Sequence, residues 1–278
     1  MLSLFYELCQ DCSKATTLKY STSFSSAIKL LHHSLRTPIF NIYGFVRFAD
    51  EIVDTFHEFD KPALLAEFKQ ETYAAIRRGI SMNPILHSFQ ITVNEYNIPH
   101  DLIESFFKSM EMDLQNVSYD TDGYHEYIYG SAEVVGLMCL SVFCDGNRSK
   151  YEQLKPAARS LGAAFQKVNF LRDVKADFEQ LSRTYFPGVD FTNFTPEMKR
   201  QIEDDIAADF RDAYKGIVQL PVKARFGVYV AYKYYLSLFR KIKKTTARQI
   251  LDRRIRIPNY GKVIIVAKAG VRSQLNIL

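Results

Sequence analysis

Two carboxylate clusters, far apart in the chain, have residue types and spacing suited to catalysis. The first is Asp50-Glu51-Ile52-Val53-Asp54, and the second runs Asn169-Phe170-Leu171-Arg172-Asp173-Val174-Lys175-Ala176-Asp177. In each, two aspartates stand four residues apart, so on a helix they leave one face with Cβ atoms about 6 Å apart. Two such faces turned toward each other form an oxygen-rich cage for Mg²⁺ together with a diphosphate. Without cations, four converging aspartates would repel one another and raise their own pKa values. A bound cation reverses that electrostatic logic. Arg47 and Arg172, each beside a cluster, would take the remaining diphosphate charge.

The helices that carry these groups have an unusual pattern. Tyr43, Arg47, Asp50 and Asp54 follow the spacing normally held by core residues, as do Gln166, Asn169, Asp173 and Asp177, with Gly162 one turn earlier. Around them stand Phe45, Val46, Phe48, Ile52 and Val53 on one segment and Phe165, Val168, Phe170 and Leu171 on the other. A helix apolar all round except for one polar line belongs inside a protein. Buried carboxylates are costly unless paired or metal-bound. One D-x-x-x-D alone reads more readily as an ordinary helical charge pair; two, each with an arginine and an aligned amide or tyrosine, favour a site.

Helical periodicity extends over most of the 278 residues. It predicts helices at Ser21–Leu35, from Pro38 to about Phe56, at 61–79, 83–96, 100–117, 123–144 and 150–182, then at 196–219 and 221–250, with a short one after Pro258. Pro62, Pro84 and Pro99 stand where helices begin, as first-turn residues. Thr184–Thr195, rich in Pro, Gly, Asn and Asp, is the clearest loop. With no strand pair, repeat or low-complexity linker, the expectation is one all-α domain spanning residues 1–278.

Composition narrows the class further. Gly (12) and Pro (9) are too scarce for a turn-rich sandwich, and 47% hydrophobic residues supply a large core. The net charge of +5 hides an asymmetry: residues 222–278 hold 14 Lys/Arg against the lone acid Asp252, while the rest is net acidic. A basic end section suggests an anionic partner, though solvated basic faces explain it equally well. Cys9 and Cys12 form an isolated C-x-x-C, and reduced structural thiols in a cytoplasmic protein fit all four cysteines better than zinc. The N-terminus lacks signal-peptide character, and the apolar run Val134–Cys144 is too short to span a bilayer, so a soluble or peripheral protein is expected.

At these residues the chain resembles the squalene/phytoene synthase family, from about Tyr20 to Ala269. Tyr43 to Asp54 is similar to that family's Y-x-x-x-R-x-x-D-x-x-x-D, and Gln166 to Asp177 to its Q-x-x-N-x-x-R-D-x-x-x-D. Ser21-Thr22-Ser23-Phe24 looks like the opening helix motif, Tyr127 to Gly136 like the central tyrosine and A-G-T-V-G segment, and Arg183-Thr184-Tyr185-Phe186-Pro187 like R-x-Y-x-P. Glu133 stands where many members have Gly, and Thr22 where Lys is frequent.

The resemblance implies an all-α bundle around a deep apolar cavity, in which two identical prenyl diphosphates bind. Two or three Mg²⁺ ions held by Asp50, Asp54, Asn169, Asp173 and Asp177 would draw off diphosphate as Lewis acids. The allylic cation would be attacked by the second substrate to give a cyclopropylcarbinyl diphosphate, then a linear hydrocarbon. Tyr43, Tyr127 and Tyr185 are candidates to face that cation, each contact contributing roughly 0.5–2 kcal/mol, although ordinary packing suits any of them as well. Phe24 and Ile28 would line the tunnel or simply pack, and Arg47, Gln166, Asn169, Arg172 and Arg183 would bind substrate. Arg253, Arg254 and Arg256 are further candidates to reach a diphosphate or a lipid surface. The pattern looks closest to bacterial phytoene synthases, implying geranylgeranyl diphosphate, no NADPH, and peripheral membrane contact for an insoluble product. A C15 squalene- or dehydrosqualene-type enzyme is the alternative. A non-catalytic assembly or RNA-binding relative is a third reading, weakened by retention of all four aspartates; no nucleic acid is expected. Nothing in the sequence fixes the oligomeric state.

Overall fold

The computed structural model describes residues 2–115, 119–181, 185–189, 193–252 and 255–274, with side chains undescribed at 175–181, 252, 259, 260, 271, 273 and 274. Among these residues every regular element is helical: α1 Leu2–Tyr20, α2 Thr22–Ile28, α3 His33–Thr55, α4 Lys61–Arg78, α5 Pro84–Tyr96, α6 His100–Asp113 and α7 Thr121–Ile128. A π-helical turn, Tyr129–Glu133, joins α7 to α8 Val134–Cys144. Then follow α9 Arg148–Leu181, α10 Pro196–Ile217, α11 Val222–Lys243, α12 Ala247–Asp252 and α13 Asn259–Gln274. Asn83 and Asp60 cap the helices begun by Pro84 and Pro62, each side chain accepting from backbone N–H groups of the first turn.

Local chemistry moves two boundaries. The expected helix Ser21–Leu35 stops at Ile28, because His32 donates its N–H to the Lys223 carbonyl of α11 at 2.9 Å while its Nδ1 caps α3 at Ser34. Pro38 then lies inside α3 rather than at its start. The carbonyl it leaves unpaired belongs to exposed Ser34, within reach of water. The expectation that the apolar run is too short to span a bilayer changes as well. Thr121–Cys144 forms one continuous helical stretch, long and apolar enough to do so, and 61% of its most apolar window is buried inside the fold. That burial suits the central helix of a bundle.

The helices pack into two apolar cores. One, built mainly from α3 to α8, centres on Phe45, which stacks on Phe89 at 3.8 Å and meets Phe106 and Phe107. The other gathers α9, α10, α11 and the C-terminal segment around Phe210, Tyr229, Tyr232 and Phe239. Burial of such aromatic side chains is the main force holding both. At the contact between α9 and the π turn, a Cβ on Gly162 would stand 2.7 Å from the Ala132 carbonyl and 2.9 Å from Glu133 Cα. Backbone therefore meets backbone there, and this fixes the height of α9 beside the cavity.

Candidate active site

A cavity of about 860 Å³ opens between the two cores, with walls from α2, α3, the π turn, α8, α9, α10, α11 and residues 255–262. Tyr43, Arg47 and Asp50 of α3 face it, as do Gln166, Asn169 and Arg172 of α9. The N-terminal parts of the two polar lines read from the sequence therefore share one chamber, while Asp54 and Asp173 are not part of its lining. Phe24 and Ile28 line it too, with Phe24 stacked on Tyr43 at 5.1 Å. Deeper in, Ala27, Leu31, Val135, Leu140, Phe143 and Leu154 make the wall apolar. Asp54 and Asp173 continue the two lines one turn past Asp50 and Asn169. The side chain of Asp177, and Arg183, Arg253 and Arg254, lie outside the described residues.

The acids crowd one another. The Asp50 carboxyl is pushed from 3.8 up to about 7, first by burial, then by Asp54, Asp113 and Glu51, against the opposing pull of Arg47. A third of its side-chain surface, 33%, is accessible, yet it is accessible to the cavity rather than to bulk solvent, so exposure and desolvation coexist. Tyr43 is pushed up to about 12, by burial first and then by Asp50. Arg47 pairs with Glu51 and lies 4.4 Å over the Tyr20 ring, and among the described residues its buried Nε has no acceptor. Arg172 holds Asp173 through both oxygens, at 3.1 Å from Nε and 2.5 Å from the guanidinium tip. Tyr235, stacked on Phe165 at 3.9 Å, donates its hydroxyl to Asn169 Oδ1 at 3.3 Å.

This donor set fits a hard dication. Among the described residues no three His, Cys, Asp or Glu side chains close round a common point. The Asp50 carboxylate of α3 and the Asn169 amide of α9 line the same chamber, and so sparse a protein donor set would leave further coordination to an oxygen-rich ligand, the pattern Mg²⁺ prefers. The repulsion that raises Asp50 is what a cation would relieve.

Two sequence expectations shift, those for Tyr127 and Tyr185, and the position of Glu133 is decided. Tyr127 and Tyr185 do not line the cavity. They are buried one layer behind it, where Tyr185 stacks on Phe170 at 4.0 Å and Tyr127 meets Tyr185 at 5.3 Å. Phe170, one residue past Asn169, fills the space between the aspartate helix and these rings. Glu133, the extra carboxylate, is also absent from the lining and accepts from Arg159 Nε at 2.5 Å. The aspartate spacing does not single out Asp113. It is buried, accepts from the Tyr127 hydroxyl at 2.9 Å and acts electrostatically on Asp50. The signal was there, because Asp113 continues the buried stripe Ile103, Phe106, Phe107, Met110 of α6.

Comparison with known proteins agrees with this geometry. The family described as squalene/phytoene synthase matches residues 17–261. The 15-cis-phytoene synthase of a Paracoccus species is 27% identical over 248 residues, covering 81% of this chain and 79% of that protein. The 4,4'-diapophytoene synthase of Staphylococcus haemolyticus is 26% identical over 212 residues, covering 73% of this chain and 70% of that protein. A crystal structure of a dehydrosqualene synthase in complex with ligand superposes with a TM-score of 0.83 at 19% identity, over 97% of this chain and 98% of that one, a likeness of fold.

Proposed function

Because this chain belongs to the squalene/phytoene synthase family, we propose that it condenses two geranylgeranyl diphosphates head-to-head, through a cyclopropyl diphosphate, to phytoene with release of diphosphate. The observation that carries this reading is the pair of polar lines on α3 and α9 facing one chamber that is otherwise apolar. In this reading Asp50, Asp54, Asn169, Asp173 and Asp177 hold Mg²⁺. The bound ions supply Lewis acidity at the diphosphate oxygens.

The chain's own residues do the rest. Arg47 and Arg172 sit beside the carboxylates and meet diphosphate oxygens, Arg47 with the buried Nε that has no acceptor among the described residues. The apolar depth holds the prenyl tails and keeps water from an allylic cation. Phe24 with Tyr43 and Phe165 with Tyr235 line the chamber as two stacked pairs, and aromatic rings attract a cation without reacting with it. Tyr127 orients Asp113, which reinforces the negative field at Asp50. Exposed Val263 and Ile264 on α13, with Arg272 in the last turn of the same helix, support peripheral contact with a membrane that receives the hydrocarbon.

The test is incubation with C20 or C15 diphosphate and Mg²⁺, with and without NADPH, followed by mass analysis of the organic extract. A C40 product independent of NADPH is expected. A C30 product from the C15 substrate alone would replace the C20 assignment, an outcome made concrete by the diapophytoene synthase relative at 26% identity.

A further inference from the structure

We propose that Lys262, carried by α13 and held on Thr22 of α2, is a diphosphate-binding residue, so that residues 255–262 complete the substrate site from the far end of the chain. The inference rests on the prenyl diphosphate reading above and adds to it a cation that has no carboxylate partner among the described residues.

Among the described residues, the charged side chains lining the cavity are one acid, Asp50, and four bases, Arg47, Arg172, Arg256 and Lys262. An apolar chamber with that imbalance is built for an anion. Two of the bases are already engaged, Arg47 with Glu51 and Arg172 with Asp173. Lys262 differs from both. Its Nζ donates to Thr22 Oγ1 at 3.0 Å and lies 5.6 Å over the ring of Tyr234, and Thr22 and Tyr234 line the same cavity. Both neighbours are neutral, and among the described residues no carboxylate pairs with this lysine.

A hydroxyl and a ring face fix the ammonium in place without cancelling its charge. An ammonium has three donors, and one of them goes to Thr22. The others remain for an anion, and the Thr22 hydroxyl is itself free to donate to a neighbouring oxygen. The contact also joins residues 240 positions apart in the sequence, so α13 supplies part of the chamber wall beside α2. The competing explanation is a purely structural staple between α13 and α2, which predicts no effect on anion affinity beyond loss of fold.

The experiment is calorimetric titration of the full chain with inorganic diphosphate in the presence of Mg²⁺, with melting temperature as a check on folding. Lys262→Ala and Lys262→Gln should each weaken binding about tenfold or more, the effect of losing a charge-assisted hydrogen bond. Lys268→Ala, an exposed lysine on the same helix, should stay within about twofold, which separates a contact from a long-range field. Thr22→Lys in the Lys262→Ala background should restore most of the affinity by placing an ammonium in the same space from the opposite side. Wild-type affinity in both Lys262 variants, an equal loss in Lys268→Ala, or no recovery in the double variant overturns the proposal. A wild-type chain that binds diphosphate through Lys262 but condenses no prenyl diphosphate would sink the proposed reaction and leave this site standing.

Discussion

Replacing Asp50 by Asn should abolish turnover and, without divalent cations, make the protein more stable. With its carboxyl at about 7 instead of 3.8, the folded chain keeps a proton that the unfolded chain has released. Through that window the unfolded state binds fewer protons, so stability falls as pH rises from about 4 to about 7, and the whole penalty stands above that. Three pH units at about 1.4 kcal/mol each set a ceiling of ~4 kcal/mol. The side chain keeps 33% of its surface open to the cavity, and solvent screening there brings the figure to about 2 kcal/mol. In a chain of this size that corresponds to about 5 °C in melting temperature. Scanning calorimetry in a chelator should therefore find Asp50→Asn the more heat-stable form at pH 8, with the gap narrowing at pH 5. Added Mg²⁺ with inorganic diphosphate should reverse the order, because ligand binding stabilises the wild type by mass action and the variant has lost a ligand. An Asp50→Asn protein that melts at or below wild type at pH 8 in chelator would refute the carboxylate-crowding reasoning, whatever its activity.

Two further perturbations probe the scaffold. Gly162→Ala would drive a methyl into the Ala132 carbonyl and Glu133 Cα. A loss of about 1–3 kcal/mol is expected, with a raised KM because Gln166 and Asn169 move with α9; an unchanged melting point and KM would show that the two backbones part freely. Lys167, buried on α9, reaches Asp205 at 2.6 Å and Asp209 at 2.8 Å on α10. Lys167→Met strands the half-buried Asp209 and should cost about 3 kcal/mol, most of it recovered by adding Asp209→Asn. Denaturant melts of the two variants decide this, and equal losses in both would mean that Asp209 is well solvated without its partner.

The parts of this molecule that were legible in its sequence are those whose periodicity is written in apolar residues or in strong punctuation. Pro62, Pro84 and Pro99 open helices or stand at their caps, as their fixed φ and missing N–H demand. The two aspartate lines were visible because polar residues interrupted an apolar face. Helix α1 was not visible, and the reason is chemical. Its buried stripe is Cys9, Ser13 and Thr17, small residues that let α3 approach until a Cβ on Gly44 would lie 3.0 Å from Ser13 Oγ. A stripe chosen for closeness carries little hydrophobic signal. Pro38 misled for a related reason, since the cost of a proline in a helix depends on whether the carbonyl four residues back can find water. Pairings such as Tyr127 with Asp113, or Lys262 with Thr22, depend on tertiary placement that no local spacing encodes.

The instability assigned to Asp50 and the binding assigned to it are the same interaction seen in two states. A site that held its carboxylates comfortably, each salt-bridged and solvated, would have little to gain from a cation. Here α3 brings Asp50 and Asp54 together, α6 adds Asp113 from behind, and Arg47 opposes the charge on Asp50 while sharing itself with Glu51. The resulting repulsion raises the free energy of the empty chamber, and a dication that removes it recovers that free energy as affinity. The opposite wall differs, because Arg172 already grips Asp173 and Tyr235 already holds Asn169. A cation held by residues of both walls would therefore loosen one ion pair while relieving one repulsion. In the proposed reading the α3 aspartates would then favour binding most strongly, and the α9 side, with its residues pre-paired, would supply orientation more than affinity.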